Sequence, residues 1–255
     1  MPDVLIMHLN NTAEALVTTS LIKRFIKDGY SVHSVSDENA KNIFKFCGSN
    51  AMLLDGKPIK GQYDVAINMS PSYLSSEMMN TVSANHKLGY GIVDGNIEFL
   101  NDGAKRHYES SQLGIPTKAN LFQLLFSLAD MTWQGEGYAL GYFPRNRSRK
   151  TLAGVAVKEA RLRRFILNNL SLEKSRLWQI PFKKNILKHI DEVNRCRQIV
   201  TDDSTTLHVA LALRKSVEYV VDRDPTFSVE MFGSGRILKY DINMVKYSSQ
   251  EQNAT

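Results

Sequence analysis

Short apolar runs alternate with segments of helical periodicity along the first ninety residues of the chain. Residues 4–7 form an apolar run, and apolar side chains then recur at three- and four-residue spacing over residues 13–25. The helical segment ends at Asp28-Gly29, a typical stop signal, and an alternating segment follows over residues 30–35. This order predicts a strand, a helix and a second strand.

The alternation of strands and helices continues to residue 91 and starts again after residue 150. The first array goes on with a helix over residues 39–46, strands over 51–54 and 64–67, a helix over 73–82 and a strand over 86–90. The second array has strands over 152–157, 176–180, 198–201 and 217–221, and helices over 160–170, 185–194 and 205–213. Such alternation predicts parallel sheets covered by helices on both faces. We expect an α/β fold of two Rossmann-like domains that face each other across a cleft.

A basic segment separates the two arrays, with four positive charges within residues 144–150. We therefore expect a first domain over 1–143, a linker over 144–150, a second domain over 151–247 and a disordered polar tail over 248–255. Residues 1–143 carry 11 Lys/Arg against 14 Asp/Glu, net −3, and residues 144–255 carry 21 against 12, net +9. The linker is typical of a solvated loop, and contact with phosphate or an anionic membrane surface is the alternative.

The composition argues against several classes of protein. Hydrophobic residues make up 43% and charged residues 23% of the chain, as in ordinary soluble globular proteins. Cys47 and Cys196 lie far apart in the sequence, outside any Cys-x-x-Cys spacing, which predicts neither a disulfide framework nor a zinc site. No window approaches 18 apolar residues, so we expect a cytoplasmic protein. The basic second half lacks interleaved aromatic residues, and we expect no nucleic-acid partner.

The turn after the first predicted strand contains candidate chemistry. Ligands of open α/β sheets bind outside the carboxyl ends of the strands. Here the sequence HLNNTAE places His8 at the end of the strand and Glu14 in the first turn of the helix. Two roles are open for Glu14: an acid at a helix start, which the helix dipole favours, or a general base. The turn has no Gly-x-Gly-x-x-Gly, which argues against a nicotinamide or flavin cofactor.

A second turn, in the basic half, combines acids, hydroxyls and a histidine in the sequence IVTDDSTTLHVALA. Asp203 or Ser204 suits an ordinary helix N-cap. The same helix start also offers backbone N–H groups, hydroxyls and the positive end of the dipole to an anion such as a diphosphate. His208 lies one turn further in. No Asp-x-Asp motif or metal-ligand spacing is present, so no metal site is predicted.

Three segments resemble one protein family. The segment VTDDSTTLHVALAL is similar to the Asp-Ser-Gly-x-x-His-x-Ala signature of the ADP-heptose:lipopolysaccharide heptosyltransferases, glycosyltransferase family 9. The opening VLIMHLNNTAEALVTTSLIKRF resembles that family's Leu-Ile-x-x-Leu-x-x-x-Gly-Asp-x-x-x-Thr-x-Pro, and YDVAINMSPSYLSSEMMNTVSANHKLGYG resembles its central stretch. The matches lie in the family's order. The resemblance implies a GT-B architecture, with the acceptor domain first and the donor domain second.

The resemblance also implies roles for individual residues. Glu14 falls where the family has its catalytic Asp, which deprotonates the acceptor hydroxyl. The acceptor side would include His8, Asn11 and Thr12, and the donor side Asp203, Ser204, Thr205 and His208. Arg163 and Arg164 loosely match the family's phosphate-binding lysine, although they also suit a solvated helix face. The chain departs from the family at Ala13 and Thr205, where the family has Gly, and is compressed over residues 151–198.

The activity implied by the resemblance is an inverting, metal-independent glycosyl transfer. A heptose or similar sugar would move from a nucleotide-diphosphate donor, in the first place an ADP-sugar, to a glycan or glycolipid acceptor in lipopolysaccharide or other surface-glycan assembly. The nucleotide-sugar is a co-substrate, and no other cofactor is implied. The alternative is a catalytically degenerate GT-B protein that acts as a binding or scaffold partner. The basic linker would allow peripheral contact with the inner face of the membrane.

Overall fold

The computed structural model describes residues 1–54, 59–146, 153–169, 176–221 and 236–239. The chain divides into two compact units, one over Met1–Tyr142 and another that begins at Phe143. Residues 147–150 of the predicted linker and the predicted tail lie outside the described residues. None of the helices that are described combines the length and the apolar character needed to cross a membrane.

The first unit contains a sheet whose central strand is the first in the sequence. In chain order its elements are β1 (Asp3–His8), α1 (Thr12–Lys27), β2 (Ser31–Ser36), α2 (Glu38–Phe46), β3 (Asn50–Leu53), β4 (Gln62–Asn68), α3 (Tyr73–Thr81), β5 (Ser83–Val93), β6 (Asn96–Phe99), α4 (Asp102–Ser111) and α5 (Leu121–Leu128). The strand order is β3-β2-β1-β4-β5-β6. The chain leaves β1 toward β2 on one side and returns to β4 on the other. This reversal marks the crevice where open α/β sheets bind ligands.

The second unit repeats this plan. Its elements are β7 (Ala153–Ala156), α6 (Ala160–Asn169), β8 (Leu177–Gln179), α7 (Ile186–Asn194), β9 (Gln198–Thr201), α8 (Ser204–Ala212), β10 (Ser216–Val221) and β11 (Arg236–Lys239). The strand order is β11-β10-β9-β7-β8, and every described pairing is parallel. The order of the strands reverses between β7 and β9. The two arrays predicted from the sequence are therefore confirmed.

The central strands are buried because both faces of each sheet are covered. In β1 every residue from Val4 to His8 is buried, and all four residues of β7 are buried, as expected for parallel strands with helices on both faces. Asn or Asp side chains cap many of the helices: Asn11, Asp37, Asn101, Asn120, Asn185 and Asp203. These caps accept hydrogen bonds from backbone N–H groups in the first turn of each helix, which have no carbonyl partner within the helix.

The expectation of wholly parallel sheets is wrong at one edge, where β6 pairs antiparallel with β5. The sequence pattern also did not predict four elements that the structure contains: the helices α4 and α5 and the strands β6 and β11. The buried face of α4 consists of Gly103, Ala104, His107 and Ser110, so no large aliphatic side chain marks its period. The sequence of α5, LFQLLFSL, is an almost continuous apolar run that suits a strand or a helix equally.

Candidate functional site

The turn between β1 and α1 is held by residues from two neighbouring strand ends. Leu9 N–H donates to Ser70 Oγ (2.6 Å), and Ser70 Oγ–H donates back to Leu9 O (3.1 Å). Asn10 has a left-handed backbone (φ 64°) and donates its N–H to Asp37 Oδ2 (2.9 Å). Ser70 follows β4 and Asp37 follows β2. The carboxyl ends of three adjacent strands therefore fix the start of α1.

Glu14 lies in the first turn of α1 with its carboxylate between two imidazole rings. Its N–H donates to the cap oxygen of Asn11 (3.1 Å). Glu14 Oε2 is 3.9 Å from His8 Nε2, and Glu14 Oε1 is 3.6 Å from His107 Nε2. Both histidine side chains are fully buried, whereas that of Glu14 is 11% exposed. The helix start stabilises the ionised carboxylate, and its exposed edge gives it access to solvent.

His107 projects from α4, a helix absent from the sequence prediction, and is held by Tyr90 at 2.7 Å between Nδ1 and the hydroxyl oxygen. The Tyr90 hydroxyl donates to Ala104 O (3.1 Å). Burial, with the nearby Glu14 carboxylate, raises the pKa of Tyr90. Burial lowers the pKa of His8 despite the opposing influence of Glu14. His8 is therefore neutral at pH 7, and Tyr90 keeps its proton.

Two glycines allow this arrangement. Gly89 has φ 88°, and a Cβ there would lie 1.9 Å from Asn68 O. A Cβ on Gly103 would lie 1.9 Å from Ser127 O, so only glycine lets α4 approach α5 this closely. Gly89 precedes Tyr90 in β5, and Gly103 lies one turn before His107 in α4. Backbone contacts thus position both side chains.

The predicted acceptor-side residues have different environments. His8 is completely buried, with its Nε2 directed at Glu14. Asn11 is exposed and serves as the N-cap of α1, while Thr12 is half-buried. The structure thus brings Asn11, His8 and Glu14 together at one turn, and their role toward an acceptor stays a prediction. His107 was not found from the sequence because its helix was not.

In the second unit, Asp203 follows β9 and is the N-cap of α8. Its Oδ2 accepts from Thr206 N–H (2.7 Å) and from Thr206 Oγ1–H (2.8 Å), and its Oδ1 lies 2.6 Å from Lys158 Nζ. Thr206 Oγ1 also lies 2.9 Å from His189 Nε2. Burial by itself would raise the pKa of Asp203, but Lys158 and Thr206 together lower it. Asp203 is therefore a firmly ionised carboxylate.

Lys158 was not singled out from the sequence, although it lies only two residues after the end of β7. Its side chain is 64% exposed and its Nζ lies 5.6 Å from the centroid of the Phe182 ring. The neighbouring acid, Asp202, accepts from Lys158 N–H (2.8 Å) and from Glu159 N–H (3.3 Å) at the approach to α6. Ligands of open α/β sheets bind at the carboxyl ends of the strands, and this rule identified the other two turns. The same rule, applied to β7, would have identified Lys158.

The other predicted donor-side residues lie at the starts of α6 and α8. Ser204 is exposed and Thr205 half-buried in the first turn of α8, and His208 is buried in the next turn. Arg163 is half-buried with Nη1 3.5 Å from Val157 O, and Arg164 is exposed. Within the part of the chain that the structure describes, Lys158 forms an ion pair with Asp203. Within the described ranges no three His, Cys, Asp or Glu side chains form a group suited to hold a metal ion.

Comparison with known proteins gives similarity in structure only. No protein-family model matches the chain, and no curated protein matches its sequence. A glycosyltransferase family 9 protein from Veillonella parvula aligns over 100% of this chain and 89% of its own, with a TM-score of 0.64 and 12% identity. ADP-heptose lipopolysaccharide heptosyltransferase II from E. coli aligns over 100% and 98%, with a TM-score of 0.60 and 13% identity.

The heptosyltransferase WaaC from E. coli, in a structure with ADP, aligns over 99% of this chain and 98% of its own. The TM-score is 0.57 and the identity 11%. At such identities the likeness establishes the fold, and it does so over the whole chain. The chain therefore has the GT-B fold of the glycosyltransferase family 9 proteins, which confirms the resemblance first seen in its sequence at the level of the fold.

Proposed function

We propose that the chain is a glycosyltransferase that transfers a heptose or similar sugar from a nucleotide-diphosphate donor to a glycan or glycolipid acceptor. An ADP-sugar is the preferred donor, and surface-glycan assembly such as that of lipopolysaccharide is the setting. The single observation that carries the proposal is the nearly buried Glu14 carboxylate, fixed at the switch point of the first sheet. It occurs in a chain with the family 9 fold.

Glu14 would act as general base. The acceptor hydroxyl would approach the exposed edge of the carboxylate, which accepts its proton while the oxygen attacks the anomeric carbon from the face opposite the leaving group. One displacement of this kind inverts the anomeric configuration. It needs no protein nucleophile and no metal ion, because the leaving diphosphate is stabilised by cations and backbone N–H groups.

The second unit supplies groups of the kind that a diphosphate needs. Lys158 presents an exposed ammonium at the end of β7, next to the ring of Phe182. The exposed Ser204 hydroxyl and the start of α8 lie at the end of β9, the neighbouring strand. The positive end of a helix favours phosphate. We infer that Lys158, Ser204 and Thr205 contact the donor and that Asp203 orients Lys158.

The function is tested by ligand binding followed by turnover. The purified chain is heated with ADP-, UDP-, GDP- and CMP-linked sugars, and a sugar present at 100 times its Kd should raise the free energy of unfolding by about 2.7 kcal/mol. The donor identified in this way is then assayed for nucleotide release with candidate acceptors, with and without a chelator. Transfer that survives the chelator and gives an inverted product supports the proposal. Failure of every donor to bind would reject it.

A degenerate binding protein is the second candidate, and one observation favours it. Carboxylates of the protein already accept the hydrogen bonds that a diphosphate would need at the starts of α6 and α8. Asp202 accepts from the N–H groups of Lys158 and Glu159, and Asp203 accepts from Thr206 and pairs with Lys158. A diphosphate would have to share or displace these contacts. Donor binding without transfer, measured with the same set of nucleotide-sugars, would favour this second function.

A further inference from the structure

An aromatic side chain at the end of β8 has no role in the proposed chemistry. Ile180 continues the pairing of β8 with β7, because its N–H donates to Val155 O (2.9 Å). Phe182 follows two residues later and is 43% exposed. Single exposed apolar side chains are common on proteins, so exposure alone assigns no role to this ring. Its contacts with its neighbours distinguish it.

The Phe182 ring is held flat against a buried side chain. It stacks on the imidazole of His189, with 6.2 Å between the ring centroids and 14° between the planes. His189 is buried, and its Nε2 lies 2.9 Å from the hydroxyl oxygen of Thr206, which in turn is bonded to Asp203. The ring is therefore supported by the interior of the second unit, while much of it remains open to solvent.

The same ring lies beside the cation to which the proposed function assigns the donor phosphates. Lys158 Nζ is 5.6 Å from the centroid of the Phe182 ring and 2.6 Å from Asp203 Oδ1. Lys158 follows β7, and Phe182 follows β8, the strand that pairs with β7 in parallel. The separation between ammonium and ring is comparable with the span of a ribose, the group that joins the phosphates of a nucleotide to its base. A nucleotide with its phosphates at Lys158 thus reaches Phe182 with its base.

Aromatic rings recognise nucleobases by stacking, because every base has a π-face. A purine has two fused rings and covers more of a phenyl ring than a pyrimidine does. The ammonium next to the ring does not prevent stacking. The side chain of Lys158 is 64% exposed, and its flexible stem lets the ammonium turn toward a phosphate.

We propose that the Phe182 ring stacks on the nucleobase of the donor and favours a purine over a pyrimidine. The inference rests on the proposed function. In this arrangement Lys158 contacts the diphosphate and Phe182 contacts the base, so the ends of two adjacent strands hold the two ends of the nucleotide. Phe182 is thus a specificity-determining residue for the donor, and the transfer chemistry stays with Glu14.

Binding of ADP and of inorganic pyrophosphate separates the contribution of the base from that of the phosphates. Calorimetry on the full chain should show that F182A binds ADP at least about tenfold more weakly than the wild type, the usual result of removing an aromatic partner of a base. Its affinity for pyrophosphate should equal that of the wild type. K158M should weaken the binding of both ligands, because it removes a charge that contacts phosphate.

The base preference is measured in the same titrations. The wild type should bind ADP more tightly than UDP, and this difference should shrink in F182A because the stacking area is lost. F46A is the matched control: Phe46 is 44% exposed, nearly as Phe182 is, but it is the last residue of α2 in the first unit. Its affinities should equal those of the wild type.

Fluorescence provides a second measurement should F182A unfold the protein. F182W in a W133F/W178F background keeps a ring for the base and places the single tryptophan at the site, because the chain has two tryptophans. ADP should quench this fluorescence by stacking, and pyrophosphate should leave it unchanged. F182L keeps an apolar side chain without a π-face and should lose affinity for ADP as F182A does.

Equal affinity for ADP in F182A and wild type, or a loss as large for pyrophosphate as for ADP, would overturn the inference. An excess of ADP over UDP affinity that is the same in both proteins would overturn it as well. These results would leave the proposed function intact, because the wild type would still bind ADP. Binding that depends on Phe182 in a protein without transfer would support the inference and favour the degenerate binding protein. A wild type that binds none of the nucleotides would reject both.

Discussion

Each unit places a carboxylate at the start of the helix that follows a central strand, and the two carboxylates are bonded differently. Asp203, after β9, accepts two hydrogen bonds from Thr206 and pairs with Lys158 at 2.6 Å. Glu14, after β1, faces two buried imidazoles at 3.6 and 3.9 Å. Asp203 is surrounded by donors that stabilise its charge. Glu14 lies between two buried imidazole rings.

This difference separates a structural acid from a candidate base. Hydrogen bonds and a nearby cation lower the pKa of Asp203, which makes it a poor base. Glu14 lies instead between the imidazole rings of His8 and His107, and we propose it as the general base. Asp203 is itself the N-cap of its helix, whereas Asn11 caps the helix that contains Glu14. The bonding partners of each acid define its role.

The largest expected effect is on catalysis at Glu14. E14Q should lower transfer by about 10²- to 10⁴-fold, the usual contribution of a general base, because the amide cannot accept the proton. E38Q is the matched control, since Glu38 is also an acid in the first turn of a helix but is exposed. Initial rates of nucleotide release measure both. Equal rates in E14Q and wild type would show that the two carboxylates do not differ in the way described.

The second effect is on stability at Asp203. D203A removes an N-cap and leaves the Thr206 N–H and hydroxyl without their acceptor, so the free energy of unfolding should fall by about 2–3 kcal/mol. The exposed Lys158 adds little to this loss. D203N keeps an acceptor oxygen and should lose less. Urea denaturation compares both with E14Q, which should change stability by less than about 1 kcal/mol. A larger loss in E14Q than in D203A would reverse the comparison.

Much of the fold and part of this contrast could be predicted from the sequence. The turn at Glu14 and the turn at Asp203 follow apolar runs and precede helical periods, so the strand-end rule located both. The hydrogen bonds that distinguish them depend on partners far away in the sequence. Lys158 reaches Asp203 across neighbouring strands, and His107 reaches Glu14 from another helix. Periodicity shows which face of an element is buried but not what it meets there.

The helix that carries His107 illustrates the physical reason. Small residues such as Gly103 and Ala104 occupy its buried face, because α4 packs closely against α5. A sequence pattern based on large apolar side chains has nothing to detect in such a helix. The same close packing is what brings His107 to Glu14.

The third prediction concerns the support of Asp203. T206V removes a hydroxyl that donates to Asp203 Oδ2 (2.8 Å) and contacts His189 Nε2 (2.9 Å), while it keeps the shape of the side chain. The free energy of unfolding should fall by roughly 1–2 kcal/mol, the cost of leaving buried partners unsatisfied. T205V, one residue earlier on the same helix and half-buried, is the control and should cost less than half as much. Equal losses, measured by urea denaturation, would exclude a special role for the Thr206 hydroxyl.

The smallest effect is the pH dependence of stability in the first unit, and it comes from His8. The pKa of His8 in the folded protein lies below its ordinary value of 6.5 because the side chain is buried. As the pH falls below about 6.5, the unfolded chain takes up a proton at this residue that the folded chain does not. Stability is therefore complete above that pH and declines as the pH falls toward the folded-state pKa, by at most about 1.4 kcal/mol per pH unit.

The variant H8L removes this titration and should flatten the decline between pH 6.5 and 5. The measurement is urea unfolding followed by Trp133 fluorescence in a W178F background, because the chain has two tryptophans and Trp178 lies in the second unit. His189, whose pKa burial also lowers, should leave a similar decline in the second unit, read from Trp178 in a W133F background. Asp203 should add nothing in this range, since an acid with a lowered pKa loses its stabilisation only below about pH 4. An unchanged slope in H8L would mean that His8 is protonated in the folded protein, and Glu14 would then be paired with a cation, as Asp203 is.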